Sequence, residues 1–115
     1  MSPENTQRLY DAFPRLYRGR HLPREASSML WGFECGDGWF ELIWNLSLAI
    51  EEQARQDRID PQSDAWPEAI QVKSKFGSFR FHLRQHSESL LTLIEAAREA
   101  AQAISEISNA KPPKD

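Results

Sequence analysis

The sequence predicts a small α+β domain: a small antiparallel sheet, built from one strand plus a β-hairpin, packed against two longer helices, with a short N-terminal helix. Three observations lead there. Ile70 to Leu83 alternates apolar and polar residues on either side of Gly77-Ser78, as a hairpin does. Two later stretches, Trp39 to about Gln56 and Ser87 to about Ser108, repeat apolar residues at helical spacing. The chain has 115 residues, 40% hydrophobic and 27% charged, enough for one modest core and too few for two. Residues 1–110 form the single domain, and 111–115 read as a frayed tail.

In chain order, Ser2-Pro3-Glu4 opens a helix: a capping hydroxyl, a proline at the first helical position and an acid at the positive end of the dipole. Leu9, Tyr10, Ala12 and Phe13 supply its apolar stripe, and Pro14 stops it. Arg15 to Arg24 is the most basic segment, with Arg15, Arg18, Arg20, His21 and Arg24 set among Leu16, Tyr17, Gly19, Leu22 and Pro23. Gly19 and Pro23 mark it as an irregular connection. It reads either as a solvated loop anchored by its apolar residues or as a loop contacting anions through Arg15, Arg18 and Arg20.

Met29 to Phe33 has the content of a short strand. Gly36-Asp37-Gly38 ends it, and Asp37 or Gly38 then caps the main helix. Trp39, Leu42 or Ile43, Leu46, Ile50 and Ala54 form that helix's first stripe, while Phe40, Trp44 and Leu48 form a second. Two stripes on one helix of a small domain point to a partner for the second, which makes Phe40, Trp44 and Leu48 an interface candidate and leaves a homodimer open. Asp57 to Pro67 is a polar connection anchored by Trp66, and its carboxylates lack the spacing of a calcium loop. With Gly77-Ser78 as a turn with glycine first, Phe76 faces Phe79, Ser74 faces Phe81 and Val72 faces Leu83. One face of the hairpin is then Ile70, Val72, Phe76, Phe79, Phe81 and Leu83. The other is Gln71, Lys73, Lys75, Arg80, His82 and Arg84. Ser87 caps the last helix, whose alanines allow close packing on the Trp39 helix or the hairpin.

The formal net charge of −3 does not suit a dedicated DNA binder, yet eight of the fourteen Lys and Arg residues fall in the arginine segment and the hairpin, so the charge is polarised. The hairpin face reads either as an ordinary solvated sheet surface or as a docking surface for phosphate, nucleic acid or an acidic protein. The single cysteine excludes an internal disulfide and fits a reducing, cytoplasmic compartment. No apolar run is long enough for a membrane helix, and the N-terminus lacks a signal-peptide profile. Pairing Cys35 with His21, His82 or His86 matches no local protease signature, and Cys35 beside aromatics reads as a small buried hydrophobe. No catalytic residues, metal or cofactor follow from the motifs.

Two stretches carry a resemblance. Trp31-Gly32-Phe33-Glu34-Cys35-Gly36-Asp37-Gly38-Trp39 and Gln71-Val72-Lys73-Ser74-Lys75-Phe76-Gly77-Ser78-Phe79-Arg80-Phe81 resemble segments of a group of small bacteriophage and prophage proteins. The similarity covers roughly Tyr17 to Leu83 and implies a phage source without a settled activity. Relatives in the group carry cysteine pairs after the hairpin that suggest a metal-binding tail; here that region is an alanine-rich helix without cysteine, so the metal role does not transfer. The resulting expectation is a non-enzymatic phage protein in the cytoplasm of a bacterial host cell. It would bind a host protein or ribonucleoprotein complex through Lys73, Lys75, Arg80, His82 and Arg84, with inhibition of a bacterial defence complex as one form of this. Direct contact with nucleic acid stays open, and no membrane is involved. Two alternatives remain: a small enzyme or nucleotide- or anion-binding protein using the Glu34 to Asp37 turn, and a homodimeric structural or accessory phage protein.

Overall fold

In the computed structural model, residues 1–23, 25, 27–85 and 87–104 are described, with Leu30 and Trp31 as backbone only. Ser2 starts the first helix, α1 (Pro3–Ala12): its Oγ accepts the Asn5 N–H at 3.2 Å, and Pro3 takes the first turn. The chain leaves the helix at Phe13, ahead of Pro14. Leu9 and Phe13 are buried, and the Tyr10 hydroxyl donates to the Met29 carbonyl at 3.2 Å. These contacts hold a helix too short to persist alone.

The following segment is irregular, as Gly19 and Pro23 suggested, and contains a 3₁₀ turn at Arg18–His21. Leu16 and Tyr17 are fully buried, and the Leu16 carbonyl accepts the Ala69 N–H at 2.8 Å. Gly19 has no room for a side chain: a Cβ there would lie 2.8 Å from Ser27 Oγ and 2.9 Å from the Ala69 carbonyl oxygen. The loop is therefore pressed against the rest of the fold and is no free appendage.

The strand expected at Met29 to Phe33 is a correction. Ser28–Trp31 forms a 3₁₀ turn, and the strand proper, β1, is only Phe33–Glu34. Ser27 Oγ accepts the Met29 N–H at 3.1 Å, which starts the turn, and Gly32 at φ +72° redirects the chain out of it. β1 pairs in parallel with β2 (Ala69–Lys75), which pairs in antiparallel with β3 (Ser78–Leu83). The sheet is thus mixed, in the order β1-β2-β3, where a wholly antiparallel one was expected. A parallel pair needs a long crossover, and the main helix, α2 (Phe40–Gln56), supplies it.

The hairpin register also differs from expectation. Val72 pairs with Phe81 instead of Leu83, Ser74 with Phe79, and Lys75 with Ser78, so the tip is Phe76-Gly77. Both tip residues have positive φ, +54° and +78°, the signature of a type I′ turn whose second residue is glycine. Val72 has moved by two partners, so the parity of the strands is kept and each side chain stays on its expected face. The exceptions are Phe76, which leaves the core for the tip, Ile70, which sits at an irregularity between Ala69 and Gln71, and Arg84, which lies past the end of β3.

Val72, Phe79, Phe81 and Leu83 join one core with Tyr17, Trp39, Ile43, Ile50 and Leu90. A 3₁₀ turn at Asp37–Trp39 leads into α2, and Trp39, Ile43, Leu46, Ile50 and Ala54 are buried, as its first stripe requires. The Trp39 ring meets Phe79 edge-on at 5.2 Å. α2 ends with the Ile59 N–H on the Ala54 carbonyl and Arg58 at φ +59°, a Schellman closure without its usual glycine. Ser87 caps α3 (Glu88–Ala101) by accepting the Leu90 N–H at 3.2 Å. This helix stops short of Ser108: Gln102 and Ala103 bond back three residues, and the Ile104 carbonyl accepts Trp39 Nε1 at 3.0 Å. The last residues of the helix expected to reach about Ser108, and the tail expected to fray, lie outside the described residues.

Candidate anion-docking surface

The register sets the outer face of the hairpin. Lys73 is paired with Arg80, Gln71 with His82 and Lys75 with Ser78. Neighbouring residues in register point the same way, so Lys73, Lys75, Arg80 and His82 share one side of the sheet. Among the described residues none of these four side chains has an ion-pair or hydrogen-bond partner. Arg80 Nε is buried without a hydrogen-bond acceptor. His82 feels the crowding: its pKa is lowered below 6.5, first by burial and then by the charges of Lys73 and Arg80. Glu34, in register with Lys73 on β1, is the one carboxylate the strands bring to this face. It is exposed and forms no ion pair with Lys73.

Arg84, expected on the same face, turns away from it. Its Nη2 lies 3.1 Å from Oε2 of the buried Glu68, while Arg18 Nε lies 3.5 Å from Oε1. Arg18 also donates to the carbonyls of Arg15 (2.7 Å), Trp66 (2.7 Å) and Pro67 (3.1 Å). Arg15 Nε donates to the Pro61 carbonyl at 2.7 Å. Arg20 donates to the Tyr17 carbonyl at 2.7 Å and stacks 4.9 Å from the Tyr10 ring centroid. These three arginines bind the molecule's own carbonyls, filling the acceptors of a strandless segment. Arg24 lies outside the described residues.

In the Glu34 to Asp37 turn the side chains take separate roles. Cys35 is buried and Glu34 faces outward. Asp37 Oδ1 accepts the Ser2 N–H at 2.7 Å and Asn5 Nδ2 at 3.3 Å, so it ties down the start of α1. The Ser2 N–H is also the main reason its pKa is lowered, which suits a fixed acceptor better than a base that must take a proton. The Met1 amino group bonds the Cys35 carbonyl beside it. A shallow cleft of about 380 Å³ opens here, lined by Asn5, Arg8, Asp37, Gly38, Phe40 and Glu41; it includes neither Glu34 nor His82. His21 is exposed, away from burial with Cys35, and His86 lies outside the described residues. Among the described residues no group of three or more His, Cys, Asp or Glu side chains converges as a metal site.

The second stripe of α2 is largely covered from within. The Trp44 ring meets Phe13, just past the end of α1, edge-on at 5.0 Å, and the Arg8 guanidinium sits 4.6 Å over Phe40. Leu48 alone is left 49% exposed. The signal for this was present in α1, whose own apolar residues needed a surface. Phe76 is the residue that sequence reasoning missed, and glycine at the second tip position was the signal. No helix among the described residues is long and apolar enough to cross a membrane.

No protein-family model, curated protein or solved structure matches this chain. The small α+β fold and the chemistry of its surface are therefore the basis for a functional reading.

Proposed function

We propose that the chain is a phage-encoded, non-enzymatic binding protein that docks the outer face of its β2–β3 hairpin on a polyanionic surface of a host macromolecule. The observation that carries this is the group Lys73, Lys75, Arg80 and His82: four titratable or cationic side chains on one face of the hairpin, Lys73 directly opposite Arg80, without ion pairs among the described residues. Like charges placed opposite each other, as Lys73 and Arg80 are, cost stability. A fold gains nothing from that cost unless a negative partner offsets it. The motifs shared with small phage proteins support a host macromolecule as the partner. The hydrogen bonding of Asp37 and the burial of Cys35 favour this reading over a small enzyme built on that turn.

Heparin, a defined polyanion, tests the surface. The protein should be retained on a heparin column in about 50 mM salt and released as salt screens the contact. Replacing Lys73, Lys75 and Arg80 together with alanine should abolish retention while leaving the thermal unfolding midpoint unchanged or higher. Full retention of the triple variant overturns this surface as the contact.

A further inference from the structure

We infer that the partner is single-stranded nucleic acid, with a base stacked on Phe76 at the hairpin tip and the phosphates held by Lys73, Lys75 and Arg80. This rests on the docking reading above and adds the partner's chemistry.

The argument begins with Phe76, which is 98% exposed and sits at φ +54°. Both facts work against the fold. A ring left in water contributes no burial, and a bulky residue in left-handed conformation is disfavoured where asparagine or aspartate would serve. The sheet does not require it, since every ladder pair and every core ring is made without it. A residue poor for folding on two counts, at the furthest point of a hairpin, is explained by what it touches outside the molecule.

Its surroundings select the ligand. Lys75 immediately precedes it, and Lys73 and Arg80 form the next outward-facing cross-strand pair. Alternate residues on a strand are about 6.7 Å apart, so the cations trail back from the ring in a line along the ribbon. The space around the tip is open: a side chain built on Gly77 would meet nothing within 4 Å. An exposed ring followed by a row of cations matches a chain that alternates flat π faces with negative charges. Unpaired bases offer such faces, whereas a duplex keeps them stacked inside. An acidic protein would match the cations but has no general use for an open, planar ring.

The test is fluorescence anisotropy with a labelled twelve-nucleotide oligo(dT) and a duplex of equal length, titrated at several salt concentrations. The wild type should bind the single strand more tightly than the duplex. With three phosphate contacts its log–log salt slope should be about −2. Phe76→Asn should weaken single-strand binding by roughly 5- to 100-fold with the slope unchanged, and Phe76→Trp should restore it. Lys73→Ala with Arg80→Ala should reduce the slope to about −0.7. Because asparagine suits the turn, Phe76→Asn keeps the fold, which circular dichroism checks directly. Equal oligo(dT) binding by Phe76→Asn and wild type overturns the inference, as does duplex binding as tight as single-strand binding. Retention on heparin without binding to oligo(dT) also overturns it and leaves the polyanion reading standing. Binding to neither removes both.

Discussion

Arg18 Nε lies 3.5 Å from Glu68 Oε1, and both side chains are largely withdrawn from solvent. This contact decides what the arginine-rich segment does: it braces the 61–68 segment against the start of β2. Removing the carboxylate leaves a partly buried guanidinium uncompensated, which typically costs about 3 kcal/mol. Glu68→Ala should lower stability by that order, read from urea denaturation. Arg84→Ala, at the more exposed end of the same carboxylate, should cost about 1 kcal/mol or less. Equal losses at Glu68 and Arg84 would show that burial is not the deciding factor. Gly19→Ala should also destabilise, since its methyl would collide with Ser27 Oγ and the Ala69 carbonyl.

Among the described residues two that are not glycine sit in left-handed conformation, Arg58 behind α2 and Phe76 at the hairpin tip. Arg58→Gly and Phe76→Asn should each stabilise the protein by roughly 0.5–1 kcal/mol, relieving the steric cost of a Cβ there. Thermal melts test both. A loss of stability in Phe76→Asn would mean that the ring makes a contact in the native state that its exposure does not reveal.

His82 makes stability depend on pH. Its folded pKa lies below its unfolded value of 6.5, so the unfolded chain binds more protons just below that pH. Stability from this group is therefore unaffected well above pH 6.5 and falls as the pH drops toward the folded pKa. His82→Gln should flatten this part of the profile. A bound anion reverses the preference, so binding should take up a proton and tighten on acidification. A calorimetric titration in two buffers of different ionisation enthalpy measures that uptake.

The Tyr17 hydroxyl and Ser47 Oγ are 2.6 Å apart in the core, and Ser47 Oγ in turn donates to the Ile43 carbonyl at 2.7 Å. Tyr17 is consequently the donor of the pair. Burial raises its pKa well above the ordinary 10, so the hydroxyl is neutral at pH 7. Tyr17→Phe should cost about 1 kcal/mol by leaving Ser47 without its donor, and Ser47→Ala should cost more because Tyr17 then keeps a buried, unpartnered hydroxyl. The reverse order in denaturant melts would reassign the donor.

Local rules were enough where a residue's role depends on its immediate neighbours. The Ser2 and Ser87 caps, the buried stripe from Trp39 to Ala54, and the outward set Lys73, Lys75, Arg80 and His82 all follow from spacing within one element. The hairpin faces survived a wrong register because a shift of two partners keeps parity. Gly77 read as the first tip residue sent Phe76 into the core; read as the second, it puts Phe76 in water.

The tertiary structure decided whatever depends on residues far apart in the chain. Asp37 looked like a cap for its own helix, yet its Oδ1 accepts the N–H of Ser2, thirty-five positions away. Trp44 looked like a surface for a partner until Phe13 covered it. The arginines looked free to meet anions, but carbonyls between Pro61 and Pro67 took the donors of Arg15 and Arg18, and those of Pro14 and Tyr17 took Arg20. Composition and periodicity state which groups need partners. Only the folded chain states which groups are close enough to become those partners.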